Sequence, residues 1–191
     1  TCFKFDRVLR AALATALVFG AQIVSAQALS ANVGTGSVIQ LSQPNNAFSG
    51  TVTGGPGAGT TFASFCLEKL EYVSLNTNLY VGSVSTATAS APGTYSSTSD
   101  PLSSQTAWLF TQYSNNLYGH TASVNASMQN AIWFLEGEIS QSALNTDSQA
   151  LSYVNSANAS SFSGLGNVRV LNLYSNSSFT SYAQDQLVML A

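Results

Sequence analysis

The feature that most constrains the fold of this chain is a change of apolar period in its middle. Val124, Met128, Ala131, Ile132, Leu135 and Ile139 recur at helical spacing and define one apolar face. On either side the pattern is β. Residues 37–41, 60–73 and 79–84 precede it, and 168–174 and 186–190 follow, enriched in Val, Phe, Tyr and Leu. Two more helices are expected. One carries Leu109, Phe110, Tyr113 and Leu117 and starts after Pro101. The other opens at the capping box Thr146-Asp147-Ser148-Gln149 and continues through Ala150, Leu151, Val154 and Ala157. Strands thus surround a block of about three helices over about residues 101–160, which predicts an α+β domain. The strands would form a β-sandwich or barrel with the helical block inserted. The strand over 79–84 is expected to make a hairpin with the one before it. Residues 85–100, rich in Ser, Thr and Ala, read as a loop or ragged edge strand.

The first 28 residues read as a secretory signal peptide. Lys4, Arg7 and Arg10 precede an apolar run over 11–19, and Ala26-Gln27-Ala28 offers an A-x-A cleavage site. The run is shorter than the roughly 20 residues a spanning helix needs, so a membrane anchor is the weaker reading. Residues 29–191 are then a single secreted or cell-surface domain, large enough to stabilise itself through its core. Within that span only Lys69 and Arg169 oppose seven acids, a net charge near −5. Phosphate contacts need clustered Lys and Arg, so nucleic-acid binding is excluded, and anionic membrane surfaces are disfavoured for the same reason. No phosphate-binding glycine loop and no metal-ligand spacing occur, and no cofactor is expected.

Cys2 falls in the leader, which leaves Cys66 as the only cysteine of the mature span and excludes an internal disulfide. Cys66 lies in Phe65-Cys66-Leu67-Glu68 on a strand. Far downstream, Gln129 begins Gln129-Asn130-Ala131-Ile132-Trp133 on the central helix. A cysteine thiol can attack a glutamine carboxamide, expel ammonia and leave an internal thioester, provided the pair is held close and kept dry. Trp133, four residues after Gln129, shares its helix surface and could roof that bond. The plain alternative is a buried cysteine acting as a small hydrophobe and a glutamine solvated at a helix edge.

These two segments resemble the signature segments of the bacterial thioester domains of surface adhesins: an aromatic-Cys pair on a strand and a Gln-x-Ala-Ile-Trp helix. The resemblance covers roughly residues 62–190, with Met128 where that family often has Thr. It implies a β-sandwich or barrel with a helical insertion and a Cys66–Gln129 thioester. A nucleophile on a surface or matrix macromolecule, an amine or a hydroxyl, would be captured once per molecule, without enzymatic turnover. Phe65 and Trp133 would shield the bond, and His120 or Glu68 would assist proton transfer. Residues 133–138 and 183–188 also resemble segments of exported proteins that carry a PEP-CTERM sorting tail; the Pro-Glu-Pro tail does not occur in these 191 residues.

Two other readings stand beside the capture module. One is a non-covalent structural surface or matrix protein with a buried free cysteine. The other is a secreted hydrolase using His120, the only histidine, with a serine. Glu136 and Glu138 are two apart and share no helix face, which leaves paired-carboxylate glycosidase chemistry without support. Trp108, Phe110 and Tyr113 read as core and not as a carbohydrate platform. The Asn-x-Ser sequons at Asn125, Asn158 and Asn176 carry no weight in a chain so rich in Asn and Ser.

Overall fold

The structure, a computed structural model, describes residues 28–89 and 99–191. The expected signal peptide over 1–28 therefore lies outside the described residues except for Ala28, as does most of the loop expected over 85–100. Six strands form a closed antiparallel barrel: β1 (Val38–Ser42), β2 (Phe48–Gly54), β3 (Thr61–Cys66), β4 (Leu79–Ser85), β5 (Val168–Tyr174) and β6 (Tyr182–Met189). The order around the barrel is β1-β2-β3-β6-β5-β4. It consists of two meanders, β1-β2-β3 and β4-β5-β6, joined at the seams β3–β6 and β1–β4. Four helices, α1 (Ser104–Ser114), α2 (Ala122–Leu135), α3 (Gln141–Leu144) and α4 (Ser148–Ala159), lie in the chain between β4 and β5. Of the two expected architectures, the sheet adopts the barrel.

Each long helix begins at a side-chain cap. Ser103 Oγ accepts from Thr106 N at 3.1 Å, Thr121 Oγ1 from Val124 N at 3.3 Å, and Asp147 Oδ1 from Ala150 N at 3.0 Å. The capping box therefore works one residue later than expected, with Asp147 and not Thr146 as the cap. Asp147 also accepts from Ser127 and Asn130 of α2, which ties α2 to α4. Burial opposes its ionisation, but these bonds outweigh it and hold its carboxyl below the ordinary range.

Two apolar layers result. Between helices and barrel lie Phe65, Leu67, Phe110, Tyr113, Met128, Ile132, Val154, Val170 and Leu187. The Phe65 ring meets those of Phe110 and Tyr113 edge-on, at 6.1 and 4.9 Å between centroids. Inside the barrel lie Ile39, Leu41, Phe62, Cys66, Leu79, Val81, Leu171, Leu173 and Val188. β2 and β3 fit closely only because residue 50 is glycine: a Cβ there would stand 2.2 Å from the Phe62 ring across the ladder.

β4 does not form the expected hairpin with β3; it pairs with β1 and β5, and residues 67–78 carry the chain from one meander to the other. β3 itself ends at Cys66, short of the expected residue 73. Leu117 is 63% exposed beyond the end of α1, and Ile139 lies beyond α2, whose continuation is broken by Gly137 at φ +82°.

Candidate functional site

The site forms where β3 outruns its neighbour. β2 pairs with β3 from Thr51↔Thr61 to Phe48↔Ser64, and the same register would set residue 46 opposite Cys66. That position is vacant in the ladder, because the chain there forms a 3₁₀ turn (Pro44–Asn46) instead of a strand. Gln129 fills the vacancy from α2. Its Oε1 accepts from Cys66 N at 3.0 Å, and its Nε2 donates to Cys66 O at 2.8 Å. A side-chain carboxamide thereby stands in for a strand peptide and satisfies both main-chain groups of Cys66.

α2 is held in register for this contact by Asn125, one turn earlier. Asn125 Nδ2 donates to Asn45 O at 2.8 Å, and its Oδ1 accepts from Tyr113 OH at 3.0 Å. Asn125, Gln129 and Trp133 are spaced four apart and form a second stripe on α2, beside the apolar one. The Asn125 sequon is consequently 2% exposed. Gln129 is 9% exposed and not solvated at a helix edge as the plain alternative expected.

The Cys66 side chain turns into the barrel and carries a free thiol. Its cross-strand partner is Gln186 of β6, whose Nε2 lies 3.6 Å from Sγ. Gln186 Oε1 in turn accepts from Ser64 Oγ at 2.7 Å. Burial pushes the thiol up to about 12, against the bond from Gln186, which works downward. The resting group is a neutral thiol. Two glutamines thus meet one cysteine, Gln129 on its main chain and Gln186 on its sulfur.

The other expected site residues are distributed unevenly. Trp133 packs against the core cluster that includes Cys66, and its Nε1 is buried with no hydrogen-bond partner among the described residues. Phe65 is fully buried but faces the helices, on the opposite side of β3 from the sulfur. His120 packs on the Tyr113 ring at 4.4 Å, and its Nε2 lies 3.1 Å from Tyr113 O. Tyr113 in turn touches Phe65. Glu68 is buried beside Glu71 and Asp185, and its main-chain oxygen accepts from Gln184 Nε2. Glu136 is engaged by Ser103 and Glu138 by Lys69 N, so the two serve separate contacts.

Sequence reasoning missed Gln186, Ser64 and Asp185. Asp185 accepts from Ala89 N at 2.6 Å, Asn172 Nδ2 at 3.0 Å and Leu173 N at 3.2 Å; burial nonetheless lifts its carboxyl to about 7. Burial, followed by the bond and charge of Glu68, likewise raises Glu71. A signal for this group was present: Gln184-Asp185-Gln186 is a polar run inside a strand whose other residues are apolar or aromatic. Among the described residues no His, Cys, Asp and Glu cluster could hold a metal ion. No helix among them is long and apolar enough to cross a membrane. No family model, no curated protein and no solved structure matches the chain.

Proposed function

We propose that this protein is an exported surface or matrix adhesion module whose Cys66 and Gln129 join in an internal thioester, for covalent capture of a partner. The observation that carries the reading is the double hydrogen bond between the Gln129 carboxamide and the Cys66 main chain. It supplies the proximity that a poor electrophile needs, in a buried setting. In the reaction Cys66 Sγ bonds to Gln129 Cδ, and negative charge develops on Oε1. Cys66 N already donates to that oxygen, as an oxyanion donor would. The C–N bond breaks, the thiol proton passes to Nε2, and ammonia leaves. Because burial keeps the proton on sulfur, the pair carries its own proton for the leaving group.

Capture follows by attack of an amine or hydroxyl of the partner on Cδ. The C–S bond breaks, the proton shed by the nucleophile goes to sulfur, and an amide or ester remains on residue 129. Trp133 roofs the bond on the helix side. The helical region between β4 and β5, inserted into the second meander, serves to bring Gln129 to the barrel. The secreted location and the macromolecular partner rest on the leader and on the resemblance of the two motif segments.

Intact mass of freshly purified, non-reduced protein tests the reading. The expected result is a deficit of one ammonia in the wild type, absent from Gln129→Ala and Cys66→Ala, and converted to an adduct by methylamine. A second reading is favoured by the same contact: the carboxamide completes a β-ladder, and a thiol held near 12 is inert, as suits a non-covalent structural surface protein. Full mass in the fresh wild type, with a thiol that titrates only on unfolding, decides for it.

A further inference from the structure

The function proposed above uses one of the two glutamines at Cys66 and leaves the other without a task. Gln186 and Ser64 are both 0% exposed, and no charged group is needed to explain their pairing. The orientation of the Gln186 carboxamide is set by its main-chain neighbour, an acceptor only, while the Ser64 hydroxyl holds its other end in place. Ser64 Oγ stands 2.7 Å from Oε1, and Gln184 O stands 3.5 Å from Nε2, where an oxygen in place of nitrogen would face another acceptor. The amide N–H is therefore aimed at Sγ at 3.6 Å. A thiol sulfur is a weak acceptor, and the contact to Gln184 O is long, so this buried donor is poorly satisfied while Cys66 is a neutral thiol. A sulfur bearing negative charge would satisfy it.

We infer that Gln186 is a third catalytic residue of the site, whose Nε2 stabilises the Cys66 sulfur as it leaves, and that Ser64 is the positioning residue that aims it. The inference rests on the thioester reading. When a partner amine attacks Gln129 Cδ, the C–S bond breaks and its electron pair remains on Sγ. The Gln186 N–H donates to that charge until the proton released by the attacking nitrogen neutralises the sulfur. Gln129 thus holds the electrophilic carbon and Gln186 the leaving atom, from opposite sides of one residue. The register fixes this division, since Gln186 is the cross-strand neighbour of Cys66 and Gln129 occupies the vacant ladder position on the other edge.

The test follows methylamine uptake by intact mass over time, in the full chain, for wild type, Gln186→Met, Gln186→Glu, Ser64→Ala and the Ser64→Ala/Gln186→Met double variant. Gln186→Met keeps volume and loses the donor; it should retain the ammonia deficit and take up methylamine at least about tenfold more slowly, the scale of a hydrogen bond to a charged group. Ser64→Ala should be slowed less, and the double variant no more than Gln186→Met, because the hydroxyl acts only through the amide. Gln186→Glu should approach the wild-type rate at low pH, where its carboxyl donates, and fall behind as it ionises. A purely structural role would not produce that pH-dependent ratio.

Uptake by folded Gln186→Met at the wild-type rate overturns the inference. So does loss of the ammonia deficit in Gln186→Met with its retention in Gln129→Ala, which would make Gln186 the joined residue. Should Gln186→Met fail to fold by circular dichroism, Ser64→Ala decides: slower uptake supports the role and an unchanged rate ends it. Absence of the deficit in fresh wild type removes the thioester reading itself, a result distinct from either outcome.

Discussion

Phe65 and Cys66 are neighbours in the chain, yet the two sides of β3 that they face are held together in different ways. On the helix side Phe65 meets Phe110 and Tyr113, and the layer continues through Met128, Ile132 and Leu187. On the other side, at the end of the barrel interior, Cys66 meets Gln186, which Ser64 holds, with Gln129 bound along its main chain. The first layer depends on area and volume, and its energy is non-directional. The second depends on donors and acceptors in fixed places, each costly if left unpaired. The helix side adds a buried apolar layer, and the polar end of the barrel is built from placed donors and acceptors.

That contrast can be broken most forcefully from the apolar side. Phe110→Ala should cost about 3–5 kcal/mol, read by denaturant unfolding, while leaving the ammonia deficit in the fraction that remains folded. Gln129→Ala should cost about 2–4 kcal/mol, since it leaves Cys66 N and O without their partner, and it should abolish the deficit entirely. If both variants altered stability and deficit in proportion, the two sides of β3 would be one cooperative unit and the distinction would fail.

The polar end also sets a pH dependence. Asp185 is lifted from 3.8 to about 7, so between those values the folded protein binds a proton the unfolded chain has released. Stability should therefore fall as pH rises through that window, by up to about 1.4 kcal/mol per unit from this group, and flatten above it. Glu71, raised mainly by burial, acts in the same direction. Thermal unfolding from pH 4.5 to 8 should show a declining melting temperature, with a shallower slope in Asp185→Asn. A melting temperature that climbs with pH over this range would contradict the burial of Asp185. The smallest expected effect, about 1 kcal/mol, belongs to Tyr113→Phe, which removes the hydroxyl donor to Asn125 Oδ1 and leaves the ring in place. Because Asn125 sets the register of α2, methylamine uptake should slow in this variant by more than so small a loss of stability suggests.

Much of the helical region was legible in the sequence, because amphipathic helices announce themselves locally. The Val124 to Leu135 stripe gave α2, and the Asp147 cap was misread by a single position. The barrel was less legible. Nothing in residues 79–84 says that they pair with residues more than eighty positions away, since strand partners are chosen by the whole sheet. Leu117 shows the limit of periodicity, for it continues the α1 stripe in spacing after the helix itself has ended. At the site, Cys66 and Gln129 stood out through motif segments, whereas Gln186 showed only as part of the polar run 184–186, with nothing to tie it to Cys66. The physical reason is that its importance comes from cross-strand register, which no local pattern carries.

Gln129 replaces a missing strand peptide, and in the proposed capture this position would have a mechanical effect. The two residues are 63 positions apart. A covalent bond between them would close a loop of that size and, on the loop-entropy model for disulfides, remove about 4 kcal/mol of freedom from the unfolded chain. Opening the bond returns that freedom. The molecule would then be tautest while empty and would slacken on seizing its target, so that spent copies would melt earlier than armed ones.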